Sequence, residues 1–459
     1  MIPPHDREAA AGVDLALFTD LYELTMLQSY QEHDLQAPAT FELFARTLPP
    51  GRNYLLACGL DSALTYLERL EFGAEALTAL ERIGFPAGFL DWLGELRFTG
   101  DVWAMPEGTP AFGNEPLLVV EAPLPEAQFV ETYLINQVHF QTLIASKGAR
   151  VVTAAAGRPV ADFGGRRAHG TDAGLTAARA LYLAGMSATS NVAAGARYGI
   201  PVTGTMAHSY VQAHGEDYAA FRDFVATHPE TTLLVDTFDT IEGVRTVVRL
   251  AGELGDAFRV RNIRLDSEPL GELAVEARRV LDAAGLASVR IIASGGLDER
   301  SVADLVAAGA PIDAFGVGTR AVTSSDAPTF DAVYKLVAYD GEGRIKHSTG
   351  KATLPGRKQV FRQRDTSGVA DRDILARADE RHEGEPLLVQ VMRGGERLPA
   401  GEDSLEQARQ RAASEIARLP ERLRGLDDAS PPYEVVISDA LRADAARLGR
   451  AWEDQASES

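Results

Sequence analysis

The chain has 459 residues, of which 45% are hydrophobic and 24% are charged, and its formal net charge is −21. This length is large for one domain, so we expect a barrel-sized unit and a second domain. The acidic balance argues against a nucleic-acid partner, because the chain lacks the basic surface that phosphate backbones need.

Neither the first residues nor any later stretch has the pattern of a membrane or export segment. The N-terminus lacks the basic and apolar regions of a signal peptide, and no apolar run approaches the length of a membrane span. Cys58 is the only cysteine, so the chain cannot form an internal disulfide or a Cys-based zinc site. We therefore expect a cytoplasmic protein without a membrane partner.

The segment 14–122 follows residues that resemble a disordered lead, and its pattern is α+β. Leucines at helical spacing predict a helix from Leu17 to about Gln31, with Thr19 and Asp20 as capping candidates. The run 41–44 alternates like a strand, and two more short strands are expected between Phe98 and Glu121. This segment is predicted to be the first part of an α+β domain.

Strand-like runs alternate with helical segments of ten or more residues between 123 and 335, which predicts parallel strands joined by right-handed crossovers. The predicted strands are Pro159–Asp162, Ile200–Val202, Thr232–Val235, Ile263–Leu265, Val289–Ala293 and Ala314–Val317. A further β-like run, Arg150–Thr153, follows a helix predicted over 127–149. Six or seven strands are fewer than the eight of a regular barrel. The pattern therefore predicts an incomplete or distorted (β/α) barrel.

The segment 336–459 is predicted to return to the first domain, which makes that α+β domain discontinuous. A turn is expected at 340–343, followed by irregular chain to about Asp371. A charged helix with an apolar stripe is predicted from Ser404 to Leu419, ended by Pro420, and a polar helix is predicted over 442–459.

Two polar loops at predicted strand ends carry the densest chemistry. In Asp162-Phe163-Gly164-Gly165-Arg166-Arg167, two guanidiniums follow two glycines, which favours an anionic ligand over a pair of surface charges. In Gly204-Thr205-Met206-Ala207-His208-Ser209, a Gly-Thr pair that lets the chain turn precedes the histidine, and Thr205 and Ser209 supply nearby hydroxyl groups. A lone histidine is more often a core or capping residue, but a neutral imidazole here can act as a nucleophile or general base.

Two glycine-rich turns follow consecutive strands late in the predicted barrel, at Ser294-Gly295-Gly296 and Gly316-Val317-Gly318-Thr319. Paired turns of this kind cradle phosphate in many barrels through backbone N–H groups. Arg264 and Asp266 flank one leucine on a strand, so both charges point to the same face. They form either a structural ion pair or a ligand site, with Asp236 and Asp239 as further carboxylates near the rim.

Five ordered motifs together resemble those of the nicotinate phosphoribosyltransferase family, and the likeness extends from about Leu17 to Arg362. The motifs are Leu17-Phe18-Thr19-Asp20-Leu21-Tyr22-Glu23-Leu24-Thr25-Met26, Phe163-Gly164-Gly165-Arg166-Arg167, Thr189-Ser190-Asn191, Gly204-Thr205-Met206-Ala207-His208-Ser209 and Gly316-Val317-Gly318-Thr319. The resemblance implies an enzyme that joins nicotinate to 5-phosphoribosyl 1-pyrophosphate, giving nicotinate mononucleotide and pyrophosphate in NAD salvage. It also implies Mg²⁺, ATP hydrolysis coupled through phosphorylation of His208, and a homodimer with shared active sites.

The resemblance also assigns roles to individual side chains. Arg264 and Phe163 would contact the pyridine ring, and Tyr22 would close its other face from the neighbouring subunit, although Tyr22 and Phe163 alone are more typical of core aromatics. The catalytic residues implied are His208, Arg264 and Asp266. The implied substrate-binding residues are Tyr22, Phe163, Arg166, Arg167, Ser190, Asn191, Thr205 and Ser209. The implied phosphate-binding residues are Ser294, Gly295, Gly296, Gly316, Gly318 and Thr319. The metal ligands stay unassigned.

Two positions bear on the choice of substrate. The family usually has Gly-Asp where this chain has Glu268-Pro269. The proline stiffens the loop beside Asp266, and the change puts ribose or metal contacts of this loop in doubt. The related nicotinamide enzyme carries an Asp near the position of Ser190 and Asn191, where it accepts hydrogen bonds from the amide. Ser190 and Asn191 are neutral and can donate hydrogen bonds to a carboxylate, so they favour nicotinate. The alternatives are a phosphoribosyltransferase for another base and a catalytically silent relative that binds ligand.

Overall fold

The computed structural model describes residues 14–346 and 353–458, so the predicted disordered lead lies outside the described residues. The chain divides into two compact units. The terminal unit contains the residues before Ile144 and those after Pro328, and the central unit contains residues 144–328. The boundary at 143/144 falls inside one long helix, Glu131–Ala154.

The terminal unit is built on a seven-stranded sheet whose neighbouring strands are antiparallel. In spatial order its strands are Glu342–Gly343, Ala332–Tyr339, Pro38–Ala45, Pro116–Pro123, Asp101–Ala104, Val389–Arg393 and Glu396–Arg397. The strand predicted at 41–44 is confirmed and is longer. It is buried on both faces from Ala39 to Ala45, because apolar side chains of the same unit pack against it.

A smaller four-stranded sheet in the terminal unit contradicts the predicted irregular chain up to Asp371. Its strands are Glu385–Pro386, Lys358–Arg364, Ala370–Arg377 and Glu434–Ile437, and a two-stranded pair joins Leu55–Leu56 to Pro110–Ala111. The prediction was wrong because the two central strands carry charged residues such as Arg362 and Asp373, which are buried here as a pair.

The helices of the terminal unit surround these sheets. They are Leu21–Glu32, Leu60–Glu68, Ala74–Ile83, Ala87–Glu95, Leu124–Phe129, the first part of Glu131–Ala154, Leu405–Ala417, Glu421–Arg424 and Asp439–Glu458. Short 3₁₀ turns lie at Leu15–Leu17 and Pro399–Gly401. The helix predicted from Ser404 to Leu419 is confirmed as Leu405–Ala417, and Ser404 caps it by accepting a hydrogen bond from the backbone N–H of Gln407.

The central unit holds a six-stranded sheet in which every neighbouring pair is parallel. We number its strands β1 (Val160–Asp162), β2 (Ala188–Thr189), β3 (Thr232–Leu234), β4 (Asn262–Leu265), β5 (Arg290–Ala293) and β6 (Ala314–Val317). The spatial order is β2-β1-β6-β5-β4-β3. Beyond β2 the predicted strand Ile200–Val202 forms only a single bridge, between Thr189 and Val202. The incomplete barrel is thus confirmed.

Helices follow the strands of the central unit, as crossover connections require. They are α1 (Thr171–Leu183), α2 (Val192–Tyr198), α3 (His208–His214), α4 (Asp217–Thr227), α5 (Thr240–Leu254), α6 (Leu270–Ala283), α7 (Glu299–Ala307) and α8 (Thr319–Val322), with 3₁₀ turns at Gly165–Arg167 and Gly255–Ala257. The prediction of a β-like run at Arg150–Thr153 was wrong, because these residues lie in the last part of the helix Glu131–Ala154. Packing overrides the weak strand preference of its two valines, and Val151 is fully buried.

The carboxyl ends of parallel strands share one edge of the sheet, so the loops after β1, β4, β5 and β6 lie at the same edge. This edge is where the sequence predicts the site. In the part of the chain that the structure describes, every helix is too short or too polar to cross a membrane.

Candidate active site

Arg264 is the best-connected side chain of the strand-end edge. Strand alternation directs Arg264 and Asp266 to one face. The guanidinium donates through Nε to Ser294 Oγ at 2.8 Å, through Nη1 to Thr205 Oγ1 at 2.9 Å and through Nη2 to Asp266 Oδ1 at 3.0 Å. Its side chain stays 16% exposed. Three oxygen partners therefore fix the cation while leaving part of it accessible.

Asp266 is held as an anion by its neighbours. Burial alone raises the pKa of this carboxyl, but the hydrogen bond from the Ser294 hydroxyl and the charge of Arg264 outweigh burial and hold the pKa below its usual range. The Asp266 backbone N–H donates to Asp236 Oδ2 at 2.7 Å, which joins the ends of β3 and β4. The carboxylate is thus charged and positioned at neutral pH.

His208 is the first residue of α3 and contacts a hydroxyl and a carboxylate. Its Nδ1 lies 3.1 Å from Thr237 Oγ1, and its Nε2 lies 3.8 Å from Asp266 Oδ2. The side chain is 40% exposed. The imidazole is therefore oriented on both edges and remains open to a ligand. Thr237 was not predicted, although it directly follows the predicted carboxylate Asp236.

These side chains border a cleft of about 680 Å³, which we call the larger cleft. Its lining residues are Phe163, Gly165, Arg166, Ser190, Asn191, Val192, Ala193, Gly204, Thr205, Met206, Ala207, His208, Leu234, Arg264 and Asp266. Two guanidiniums, Arg166 and Arg264, give the larger cleft the positive charge that an anionic ligand requires. Ser209 is exposed and is not among these residues.

The loop after β1 is fixed by Asp162, which sequence reasoning missed. Asp162 is buried, and its carboxylate accepts hydrogen bonds from the Gly164 N–H at 2.8 Å and from Thr189 Oγ1 at 2.7 Å. Burial raises its pKa. The only sequence signal was its place directly before Phe163. Asp162 thereby ties the loop carrying Phe163 to the strand that ends at Thr189.

The Phe163 ring lies in the larger cleft beside Arg264, whose Cζ is 5.6 Å from the ring centroid. A Cβ on Gly316 would come within 2.5 Å of this ring, so the ring needs glycine at that position. Gly164 is equally constrained, since a Cβ there would lie 2.2 Å from Val322. These two glycines therefore set where the aromatic ring sits.

Ser190 and Asn191 both line the larger cleft, but the structure separates their roles. Asn191 caps α2 by accepting a hydrogen bond from Ala194 N, and its amide donates to the Gly174 carbonyl at 3.4 Å. Ser190 is exposed. Asn191 is thus already occupied as a cap, and Ser190 is the freer donor for a carboxylate.

The two glycine-rich turns form a second, smaller cleft of about 140 Å³. It is lined by Phe163, Arg166, Arg167, Arg264, Asp266, Ser294, Gly295, Gly296, Leu297, Gly316, Gly318, Thr319 and Arg320. Arg167 donates to Thr319 Oγ1 at 3.1 Å. Arg320, which sequence reasoning missed, pairs with Asp298. Three arginines besides Arg264 therefore surround this cleft.

Gly295 and Gly318 are required by close backbone approaches within the smaller cleft. Gly295 has φ +100°, and a Cβ there would lie 2.4 Å from the Asp266 carbonyl. A Cβ on Gly318 would lie 2.9 Å from the Phe163 carbonyl. At both turns a neighbouring backbone carbonyl therefore occupies the space that a side chain would need. Ser294 differs, because its buried hydroxyl is used by Arg264 and Asp266.

Besides Ser209, three residues considered in the sequence lie away from this centre. Glu268 is exposed, and its carboxylate accepts a hydrogen bond from Leu270 N at 3.0 Å, so the Glu268-Pro269 departure serves the start of α6 and leaves Asp266 in its network. Asp239 caps α5 by accepting from Glu242 N. Tyr22 lies in the terminal unit, is 47% exposed and lines neither cleft.

The larger and smaller clefts share Phe163, Arg166, Arg264 and Asp266. They therefore form one continuous site with two compartments at the carboxyl ends of parallel strands. This arrangement, rich in arginine and glycine, is typical of a barrel enzyme acting on a phosphorylated, anionic substrate.

Comparison with known protein families identifies the class more closely. Residues 17–139 match the family model of the nicotinate phosphoribosyltransferase (NAPRTase) N-terminal domain, and residues 159–354 match that of the nicotinate phosphoribosyltransferase (NAPRTase) family. The chain belongs to the nicotinate phosphoribosyltransferase family, which confirms the resemblance of the five motifs.

Individual relatives support this assignment. The chain is 52% identical to the nicotinate phosphoribosyltransferase pncB2 of Mycobacterium tuberculosis over 95% of this chain and 94% of that one. It is 43% identical to the nicotinate phosphoribosyltransferase of Bacillus subtilis over 80% and 77%. The crystal structure of human nicotinic acid phosphoribosyltransferase superposes with a TM-score of 0.82 at 29% identity, covering 94% of this chain and 99% of that chain.

Proposed function

We propose that this protein joins nicotinate to 5-phosphoribosyl 1-pyrophosphate, giving nicotinate mononucleotide and pyrophosphate as a step of NAD salvage. The observation that carries the proposal is 52% identity to a nicotinate phosphoribosyltransferase over 95% of the chain. The continuous two-compartment site supports it, because the reaction needs adjoining places for an anionic base and a sugar phosphate. The central unit is then the catalytic domain.

The base and the reacting carbon belong in the larger cleft. The pyridine nitrogen supplies an electron pair to form the bond with C1 of the ribose, and the bond from C1 to the pyrophosphate oxygen breaks with its electrons leaving on pyrophosphate. Positive charge develops on the sugar in the transition state, so a fixed anion such as Asp266 stabilises it. Phe163, Arg166 and Ser190 line this cleft, so Phe163 would provide a face for the ring, while Arg166 and Ser190 would meet its carboxylate.

The 5-phosphate belongs in the smaller cleft. Gly295, Gly296, Gly318 and Thr319 line it, so their backbone N–H groups would bind the phosphate, and Arg167 and Arg320 add charge. With the phosphate in this compartment, the sugar would extend past Asp266 toward the larger cleft. The two compartments therefore fix the ends of the sugar phosphate and align C1 with the base.

Mg²⁺ fits the site as a partner of substrate phosphates. Asp236 is buried, and its Oδ1 has no hydrogen-bond partner among the described residues, while Asp266 supplies a second carboxylate on the next strand. Mg²⁺ usually binds one or two carboxylates together with phosphate oxygens and water. Asp236 and Asp266 would hold the ion, which neutralises charge on the departing pyrophosphate when bound.

ATP coupling is assigned to His208. Its exposed imidazole can accept the terminal phosphoryl group of ATP on a ring nitrogen, releasing ADP, and water later removes that phosphoryl group as phosphate. The phosphorylated ring would add negative charge close to Asp266, where it biases the loops that bind pyrophosphate. Thr237 would orient the ring through Nδ1.

The protein is further proposed to act in the cytoplasm as a homodimer whose active sites are shared. Tyr22 is exposed in the terminal unit beside other exposed apolar residues, Leu15, Phe18 and Leu21. An exposed apolar group of this kind suits contact with a second copy. In the dimer Tyr22 would close the open face of the pyridine ring.

Pyrophosphate release from 5-phosphoribosyl 1-pyrophosphate tests the activity. Nicotinate and nicotinamide are compared in the presence of Mg²⁺, each with and without ATP. We expect release with nicotinate, stimulated by ATP and abolished by EDTA, and little release with nicotinamide. Release with neither base would contradict the proposal.

The His208→Ala variant separates ATP coupling from transfer. It should lose ATP stimulation and retain weaker transfer without ATP, because the remaining cleft residues still bind both substrates. His214→Ala, which changes the last residue of the same helix, is the control and should keep the stimulation. Full ATP stimulation in His208→Ala would exclude the phosphohistidine role.

A further inference from the structure

The central unit contains a cluster of four charged side chains, three of them buried, that the proposed reaction does not use. Lys147, on the long helix Glu131–Ala154, is 1% exposed, and its Nζ donates to Glu299 Oε2 and to Asp326 Oδ1, the latter at 2.7 Å. Arg150, one turn later on that helix, donates through Nε to Glu299 Oε1 at 3.0 Å. Both oxygens of Glu299 therefore accept from cations on one helix.

The two carboxylates of this cluster lie just beyond the two glycine-rich turns. Glu299 is the first residue of α7, three residues after Gly296. Asp326 lies in the turn that follows α8, the helix that starts at Thr319. Lys147 contacts both carboxylates, so one ammonium group connects the segment after the first turn to the segment after the second.

A second connection between the same segments runs on the cleft side. Arg320, on α8, pairs with Asp298, which caps α7. The Arg320 side chain is 52% exposed, and exposed ion pairs contribute little to stability. The connection through Lys147 has a buried ammonium group, so it is the stronger constraint on the spacing of the two turns.

We propose that Lys147 is a positioning residue for the 5-phosphate compartment, acting through Glu299 and Asp326 to hold the two glycine-rich turns at the separation that a phosphate requires. This inference rests on the proposed function only for the identity of the substrate. It predicts a specific defect in phosphoribosyl binding, which a general loss of stability does not produce.

The test compares Lys147→Met with Lys358→Met. Lys358 is a matched control, because it is also a buried lysine paired with a carboxylate, Glu42 Oε2 at 2.7 Å, but lies in the terminal unit. Both variants should lower Tm. Only Lys147→Met should raise KM for 5-phosphoribosyl 1-pyrophosphate, by about tenfold or more, with kcat and KM for nicotinate within about threefold of wild type. Lys147→Arg should restore most of the affinity.

Ribose 5-phosphate binding, measured by calorimetry, distinguishes this inference from the proposed activity. If wild type binds ribose 5-phosphate and Lys147→Met weakens that binding, the inference holds even where no nicotinate is turned over. If wild type turns over nicotinate and Lys147→Met keeps the wild-type KM and ribose 5-phosphate affinity, the inference fails while the activity stands.

Asp326→Asn covers the case in which Lys147→Met does not fold. Asp326 is 40% exposed, so its amide should be tolerated while one of the two connections weakens. We expect ribose 5-phosphate affinity to fall by about threefold, with KM for nicotinate unchanged. Wild-type affinity in Asp326→Asn would then overturn the inference.

Discussion

The two units each contain an arginine–aspartate pair, and the pairs differ in what surrounds them. In the terminal unit Arg362 donates to Asp373 through Nε at 3.0 Å and Nη2 at 2.6 Å, and both side chains are fully buried. In the central unit Arg264 contacts Asp266 through one bond at 3.0 Å, and the side chains are 16% and 28% exposed. The first pair is closed and the second opens into a cleft.

The neighbours of each pair explain this difference. Arg362 also donates to the Pro110 carbonyl, and Tyr433 donates its hydroxyl to Asp373. Glu115 is buried beside them, and burial together with the charge of Asp373 raises its pKa well above the usual range. The Arg362–Asp373 pair therefore lies beside a buried carboxyl whose ionisation is disfavoured. Around Arg264, by contrast, hydroxyls complete the contacts and leave charge available for a ligand.

The comparison shows that the chemistry of a pair does not reveal its role. A bidentate pair sealed from water holds strands together, and removing one partner leaves an uncompensated charge. A pair with one bond and an open side can exchange contacts with a substrate. Exposure and the surrounding contacts separate the two roles, and both depend on the fold.

Arg264→Met should produce the largest effect. It removes the fixed cation of the site, so we expect kcat/KM to fall by about a thousandfold or more, equivalent to about 4 kcal/mol. The free energy of unfolding should change by no more than about 1 kcal/mol, because the side chain is partly exposed and Asp266 keeps Ser294 as a partner. Steady-state rates and urea unfolding measure the two quantities. A large loss of stability would make this pair resemble that of Arg362.

Arg362→Met should show the opposite behaviour. It leaves Asp373 buried without its cation, so the free energy of unfolding should fall by about 3–5 kcal/mol. The folded fraction should keep kcat/KM within about twofold of wild type, since the pair lies outside both clefts. Activity normalised to folded protein checks this. Selective loss of activity in a stable variant would contradict the structural role.

Gly295→Ala tests the close backbone approach beside Asp266. A Cβ there would lie 2.4 Å from the Asp266 carbonyl, so KM for 5-phosphoribosyl 1-pyrophosphate should rise by about tenfold. Gly309→Ala is the control, since Gly309 also has positive φ but has open space around it. It should cost about 1 kcal/mol of stability and leave KM unchanged. Equal KM values for the two variants would contradict the steric argument.

Glu23→Gln should give the smallest effect, and it depends on pH. Glu23 is buried in the terminal unit, and burial raises its pKa from 4.5 to about 7, with a hydrogen bond from Gln128 opposing the rise. The raised pKa favours the folded state below pH 4.5, and this contribution is lost as the pH rises through about 7.

The variant removes the charge that burial penalises, so its Tm should exceed that of wild type by a few degrees near pH 8 and approach it near pH 5. Glu32→Gln, at an exposed position of the same helix, should show no such dependence. A difference in Tm that is independent of pH would mean that the carboxyl is not the cause.

The sequence predicted the central unit well and the terminal unit less well, for a physical reason. Apolar strands that alternate with helices of ordinary length are typical of a parallel sheet, and β3 to β6 each lie within one residue of their predicted bounds. The strands Lys358–Arg364 and Ala370–Arg377 were missed because their buried charges resemble those of an exposed loop. The pairing of Arg362 with Asp373 and of Lys358 with Glu42 makes their burial possible.

In the site, too, residues within local motifs were predicted and residues that depend on distant partners were not. Phe163, His208, Arg264 and the glycine turns were predicted from motifs, and the structure brings them to one edge. Asp162, Thr237, Arg320 and Lys147 were not predicted, because each acts through a partner distant in sequence or through a backbone group. Such roles have no local pattern.

A crystal structure of the protein with nicotinate mononucleotide tests the central claim most directly. We expect the phosphate between the Gly295–Gly296 and Gly318–Thr319 turns, the pyridine ring against Phe163, and Arg264 within hydrogen-bonding distance of the ligand. Nucleotide bound elsewhere, with Arg264 still paired only to its own chain, would contradict it.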